Sequence, residues 1–181
     1  VAIPLDAAVR ARLASAAGDL RASARGVAWV AESNLHVTVK FLGGVAPSLL
    51  ADVGRALGDA LAPEPAFVLG LRGLGAFPAA RARVIWAGLG GGGPSCAAIA
   101  ERVERALEPL GFPRETRAFS PHVTLGRVRQ PRRDEKLAAA LRAAASADLG
   151  STRVAAVSLI RSDLSPAGAR YTELASCPLL G

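Results

Sequence analysis

The sequence predicts an α+β fold built from two similar halves. Three observations point there: segments of helical and strand periodicity alternate, their order repeats on either side of a glycine run at 90–93, and one histidine-containing pattern recurs on the corresponding strand of each half. The 181 residues suit one bilobal domain spanning 1–181, with approximate halves 1–90 and 94–181.

Each element has a local reason. Val1 to Pro4 is a short apolar strand closed by proline, and Asp6 is placed to cap a helix running to about Arg25. Ala8, Val9, Leu13, Ala17 and Leu20 recur there at helical spacing. Strands are expected at Val27–Val30 and Leu35–Leu42. A second helix is expected over Pro47–Ala62, with proline in its first turn and Leu49, Leu50, Val53, Leu57 and Leu61 on one stripe. Strands around Ala66–Leu74 and Arg83–Leu89 close the first half. Gly90 to Gly93 with Pro94 reads as a flexible linker, because no Lys-Ser/Thr follows as a phosphate-binding loop requires. Beyond it come a helix over Ser95–Leu110, a strand over Pro121–Val128, a helix over Asp134–Ala147 and strands near Thr152–Ile160 and Arg170–Ala175. Each half therefore contains the order helix, strand, helix, strand, strand, the first with added strands at Val1–Pro4 and Val27–Val30, and helices are expected to pack outside antiparallel sheets.

Composition narrows the function. Hydrophobic residues make up 51%, enough for a sizeable core and against disorder. No apolar run approaches the ~20 residues of a membrane span, and Val1–Asp6 lacks the basic region of a secretory leader. The 2 cysteines, Cys96 and Cys177, cannot make a disulfide framework, so a reduced cytoplasmic protein is expected. The net charge is +7, and Lys40 and Lys136 are its only lysines, so the excess is guanidinium, a planar donor fork suited to phosphate oxygens. An anionic partner is favoured.

Both histidines fall in one pattern, His-x-Thr-x. The first stands in Asn34-Leu35-His36-Val37-Thr38-Val39-Lys40-Phe41, the second in Phe119-Ser120-Pro121-His122-Val123-Thr124-Leu125-Gly126-Arg127. Side chains alternate along a strand, so His36 and Thr38 share one face while Val37 and Val39 share the other, and likewise for His122 and Thr124. A pseudo-twofold would set the two His/Thr pairs across a cleft. Two imidazoles there suit acid–base chemistry on a phosphate: a neutral one takes a proton from water and a charged one protonates the leaving alkoxide. The threonine hydroxyls can hold nonbridging oxygens. Lys40 continues the His36/Thr38 face, whereas Arg127 reaches its own motif's face only through a twist or bulge.

Other chemistries fit less well. Zinc bound by His36, His122, Cys96 and Cys177 lacks the close ligand pairs of structural sites and a carboxylate for a catalytic one, so no metal is expected. No serine or cysteine sits in a nucleophile elbow. Arg127, Arg129, Arg132 and Arg133, with Arg81 and Arg83, either steer the anionic partner or are solvated loop residues. Phe41, Phe119, Trp29, Trp86 and Tyr171 either stack on a base or fill the core.

With these motifs the chain resembles the two-histidine (2H) phosphoesterase superfamily, and within it the RNA 2′,3′-cyclic phosphodiesterases, also called 2′-5′ RNA ligases. Val1–Leu5, Trp29-Val30, Phe77-Pro78, Arg83–Gly88, Leu164-Ser165-Pro166 with Gly168, Ala169 and Tyr171, and Pro178-Leu179 extend the similarity over nearly the whole chain. The resemblance implies two antiparallel sheets flanking a V-shaped cleft and a cofactor-independent hydrolysis of RNA 2′,3′-cyclic phosphate ends to 2′-phosphates. It implies His36 as proton donor, His122 as proton acceptor and Thr38 and Thr124 as phosphate holders. Arg127, Lys40, Phe41 and Phe119 are further substrate-binding candidates. Some members also join or split 2′-5′ RNA linkages. A monomer with no obligate protein partner is expected. The competing readings are a non-catalytic module that binds RNA ends and a phosphodiesterase acting on a small cyclic nucleotide.

Overall fold

The structure, a computed structural model, describes residues 1–165 and 168–181. Four α-helices stand out: α1 (Ala7–Arg21), α2 (Leu50–Leu61), α3 (Gly93–Leu107) and α4 (Glu135–Ala143). Among the described residues nine strands accompany them: β1 (Ala2–Pro4), β2 (Val27–Trp29), β3 (His36–Thr38), β4 (Phe67–Phe77), β5 (Val84–Gly91), β6 (Val123–Val128), β7 (Asp148–Val154), β8 (Ala156–Ser165) and β9 (Gly168–Pro178). Helix starts follow the expected chemistry. The Asp6 carboxylate accepts from the Val9 amide at 2.7 Å, and Asp134 does the same for Leu137 at 3.1 Å, each satisfying a first-turn donor. Val53, Leu57 and Leu61 are fully buried on one face of α2, as their spacing requires.

The strands run in the order β7-β4-β5-β6-β3-β1-β8-β9, with β2 also on β6, and neighbours pair antiparallel. The two expected sheets are thus two sides of one sheet. They meet at β3 and β6, where a single register pair, Val37 with Val123, joins them. Helices cover the face that carries Ile3, Val37, Ala87, Val123 and Leu159, which belong to one continuous core. The opposite face is left to solvent.

Two expectations about organisation need correction. The sequence halves are not the two sides of the sheet: β4 and β5 pair with β6 and β7, while β1 and β3 lie with β8 and β9. The chain crosses sides near Ala155, so the single strand expected at Thr152–Ile160 is really the end of β7 and the start of β8. The glycine run is also not a flexible linker. Gly91 pairs with Gly70 within the sheet. Gly92 caps α3 at φ +78°, and a Cβ there would lie 2.7 Å from the Val68 carbonyl oxygen. Glycine is needed for a tight strand-to-helix corner, where it permits the left-handed backbone and the close approach. Pro166, in the hairpin implied by the resemblance, lies outside the described residues.

Candidate active site

Val37 and Val123 are both 0% exposed and point into the core. Their strand neighbours therefore point the other way, so His36, Thr38, His122 and Thr124 share the open face. Extending the Val37–Val123 register by one residue each way sets His36 across from Thr124 and Thr38 across from His122. The two histidines are then diagonal neighbours on one face, a relation that spans roughly 7–8 Å in a regular sheet and leaves room for a phosphoryl group between them.

The two imidazoles are held alike. Nδ1 of His36 donates to the Asn34 carbonyl at 2.8 Å, and Nδ1 of His122 donates to the Ser120 carbonyl at 2.8 Å. A carbonyl can only accept, so Nδ1 keeps its hydrogen and Nε2 is the nitrogen that gains and loses a proton. Each ring also meets an aromatic edge-on, Tyr171 for His36 at 5.3 Å and Phe77 for His122 at 5.4 Å. The pairs differ in one respect. Nε2 of His36 lies 3.1 Å from Thr38 Oγ1, so the hydroxyl donates to the neutral ring. Burial holds the His36 imidazole below its ordinary value, partly opposed by the bond to Asn34.

Arg127 joins these groups because β6 bulges. Gly126 pairs with Ile85 but Thr124 pairs with Trp86, so β6 carries one extra residue, Leu125, against β5. Ile85 faces the core and is 0% exposed, which places its neighbours Val84 and Trp86 on the open face. Arg127, opposite Val84, therefore falls on the face of Thr124. Trp86 forms the floor there, 4.9 Å from Phe77 between ring centroids. It fits only because Gly75 lies beneath it, where a Cβ would come 2.3 Å from the indole.

Lys40 is not brought to this face. After Thr38 the strand ends and the amides of Val39 and Lys40 both turn onto the Val1 carbonyl, at 2.9 and 3.3 Å. That irregularity breaks the alternation, and Lys40 points inward. Its ammonium donates to Glu104 at 2.5 Å and to the Pro113 carbonyl at 2.8 Å. Substrate binding by Lys40 is thus replaced by a buried ion pair between the loop after β3 and α3. Phe119 is partly buried and packs against the core, while Phe41 is 84% exposed. The anchoring carbonyls of Asn34 and Ser120, both two residues before the histidine, were missed in the sequence, although that shared spacing was their signal. Cys96 and Cys177 are buried free thiols. Burial pushes Cys96 up to about 11 and raises Cys177 as well, aided by Glu173, so neither is poised as a nucleophile. Among the described residues no three His, Cys, Asp or Glu side chains cluster as metal ligands would, and no helix is long and apolar enough to cross a membrane.

Known proteins are similar to this chain in sequence and fold. A sequence model of the 2′-5′ RNA ligase superfamily matches residues 7–166. An Aeropyrum pernix protein named RNA 2′,3′-cyclic phosphodiesterase is 38% identical over 146 residues, covering 80% of this chain and 82% of that protein. A protein of the same name from Methanothermobacter thermautotrophicus is 35% identical over 176 residues, covering 96% and 94%. Among solved structures, TT0787 of Thermus thermophilus superposes with a TM-score of 0.82 at 29% identity, covering 98% of this chain and 95% of that one. Escherichia coli LigT, crystallised with 3′-AMP, shares the fold at a TM-score of 0.78 and 24% identity, covering 99% and 96%. With paired His-x-Thr-x strands on one open face and similarity running through both sides of the sheet, the chain belongs to the 2′-5′ RNA ligase superfamily.

Proposed function

We propose that this chain hydrolyses RNA 2′,3′-cyclic phosphate ends to 2′-phosphates by metal-independent acid–base catalysis. The observation that carries this is the matched anchoring of both imidazoles, which leaves two Nε2 atoms on one open face. Water attacks phosphorus as His122 Nε2 takes its proton. The P–O3′ bond breaks, and His36 Nε2 delivers a proton to O3′, leaving the phosphate on O2′. Thr38, Thr124 and Arg127 hold the nonbridging oxygens. The direction of proton flow is taken from the family. An anionic phosphate beside His36 favours its imidazolium and opposes the effect of burial. Both cysteines are free and buried, which fits a reducing cytoplasmic setting, and the chain is read as a monomer.

The test is turnover of a short RNA ending in a 2′,3′-cyclic phosphate, in EDTA, across pH. A 2′-phosphate product is expected, with a bell-shaped kcat/KM profile. As the acid, His36 must be charged, and its protonated fraction falls as pH rises through a value below 6.5. Lowering His36 should therefore draw the bell as a whole toward acid pH. A profile rising steadily to pH 9 argues against paired imidazoles, and strong inhibition by EDTA argues for a metal. Tight binding without turnover would favour the end-binding module instead.

RNA longer than its terminal nucleotide has a place to lie. Among the described residues none of Arg81, Arg83, Arg127, Arg129 and Arg132 has a carboxylate partner, and the carbonyl of Arg83, just before β5, accepts from the Val128 amide beside Arg127 on β6. Replacing Arg81, Arg129 and Arg132 together by alanine should weaken binding of a ten-nucleotide RNA. The slope of log affinity against log salt should drop by about 0.7 for each arginine–phosphate pairing removed. A cyclic mononucleotide, too short for that edge, should be affected by less than about twofold.

A further inference from the structure

Beside His36 the open face sinks into a pocket of ≈ 170 Å³ lined by Pro4, Arg10, His36, Ser158, Tyr171 and Glu173 among others. Sites for drug-sized ligands run to roughly 300–1,000 Å³, so this one takes a single ring system. Its polar groups have no task in the acid–base steps. Arg10 spends Nη1 on the Leu5 carbonyl at 2.5 Å, while its Nε is buried with no acceptor. Glu173 accepts from Ser158 Oγ at 2.6 Å through Oε2, and Ser158 is itself only 3% exposed. Oε1 has no hydrogen-bond donor among the described residues. A carboxylate close to a phosphate site repels the phosphate, so the oxygen that Ser158 leaves free is suited to accepting from a different part of the substrate.

We propose that this pocket holds the base of the nucleotide bearing the cyclic phosphate, and that Glu173 and Arg10 select a base presenting both an amino group and a carbonyl, guanine or cytosine. This rests on the reaction read above, because His36 can protonate O3′ only if that ribose lies against it, and the attached base then reaches the adjoining pocket. Carboxylates accept from base amino groups and guanidinium donates to base carbonyls. Adenine offers the amino group without a carbonyl, and uracil the carbonyls without an amino group. The Tyr171 ring, edge-on to His36 at 5.3 Å, is the wall that the pocket and the imidazole share.

The test compares four short RNAs that differ only in the base carrying the cyclic phosphate, with the wild-type chain, Glu173→Gln and Arg10→Lys. Wild-type kcat/KM should favour guanine and cytosine ends by about tenfold or more, within the range of a good two-point base contact. Both variants should lower guanine and cytosine ends about tenfold more than adenine and uracil ends. Glutamine still accepts from Ser158, and lysine keeps the charge without the planar fork, so folding is preserved. A merely structural role would lower all four ends together, and that result overturns the assignment. Equal turnover of the four ends by the wild type overturns it too, while the reaction itself stands. Absence of turnover on every RNA overturns the reaction and this assignment with it.

Discussion

Replacing either histidine by alanine lowers kcat/KM on a cyclic-phosphate RNA end by about 10²–10⁴-fold, the usual worth of one positioned acid or base. RNA binding survives in both variants, since Thr38, Thr124, Arg127 and the arginine edge are untouched. The double variant falls little further than the worse single one, because the two imidazoles act on one transition state. Their anchors predict this sensitivity. Each Nδ1 is committed to a carbonyl two residues upstream, so nothing remains to move the proton once Nε2 is gone. The same pair of variants reads the direction of proton flow. A phosphodiester with a nitrophenoxide leaving group needs no proton at that oxygen, so His36→Ala should be rescued on it and His122→Ala should not. Rescue of His122→Ala instead would exchange the roles, and full activity in either variant would remove the pair from the mechanism.

The chemistry was legible in the sequence because it rests on a period of two. With Val37 and Val123 apolar and flanked by His and Thr, only one assignment of faces buries the valines. Helix stripes were legible for the same kind of reason, as in Val53, Leu57 and Leu61 on α2. What could not be read depends on pairing between distant segments. The crossing between β7 and β8 occurs within an unbroken apolar stretch that periodicity treats as one strand. The bulge that turns Arg127 onto the site face exists only in register with β5, so the sequence could pose the need for it but not supply it. The glycine run illustrates a further limit. Its composition matches a linker, whereas Gly92 stands where neighbouring backbone leaves no room for a Cβ, and Gly90 where the Arg72 side chain takes that room.

Lys40 shows how a broken alternation turns a candidate ligand into a structural residue, and it sets up the second large effect. Lys40→Met should destabilise the chain by about 3 kcal/mol, the low end for breaking a buried ion pair by removing one partner. Side chains of Lys40 and Glu104 are 7% and 14% exposed, so the stranded carboxylate keeps a little water. It also keeps the Glu115 amide at 3.2 Å, which places the cost below that of a sealed charge. For a chain of this length the loss corresponds to a fall in Tm of about 6–12 °C. The double replacement Lys40→Met with Glu104→Leu should recover most of it, because the penalty lies in the orphaned charge rather than in the missing attraction. At a temperature where the variant is folded, kcat/KM should stay within about threefold of wild type, since the ammonium faces α3 and not the cleft. A large loss of kcat/KM with Tm unchanged would return Lys40 to the substrate. Unfolding midpoints measured beside single-turnover rates separate the two, and they divide the first motif into a face that does chemistry and a residue just past it that holds the strand to α3.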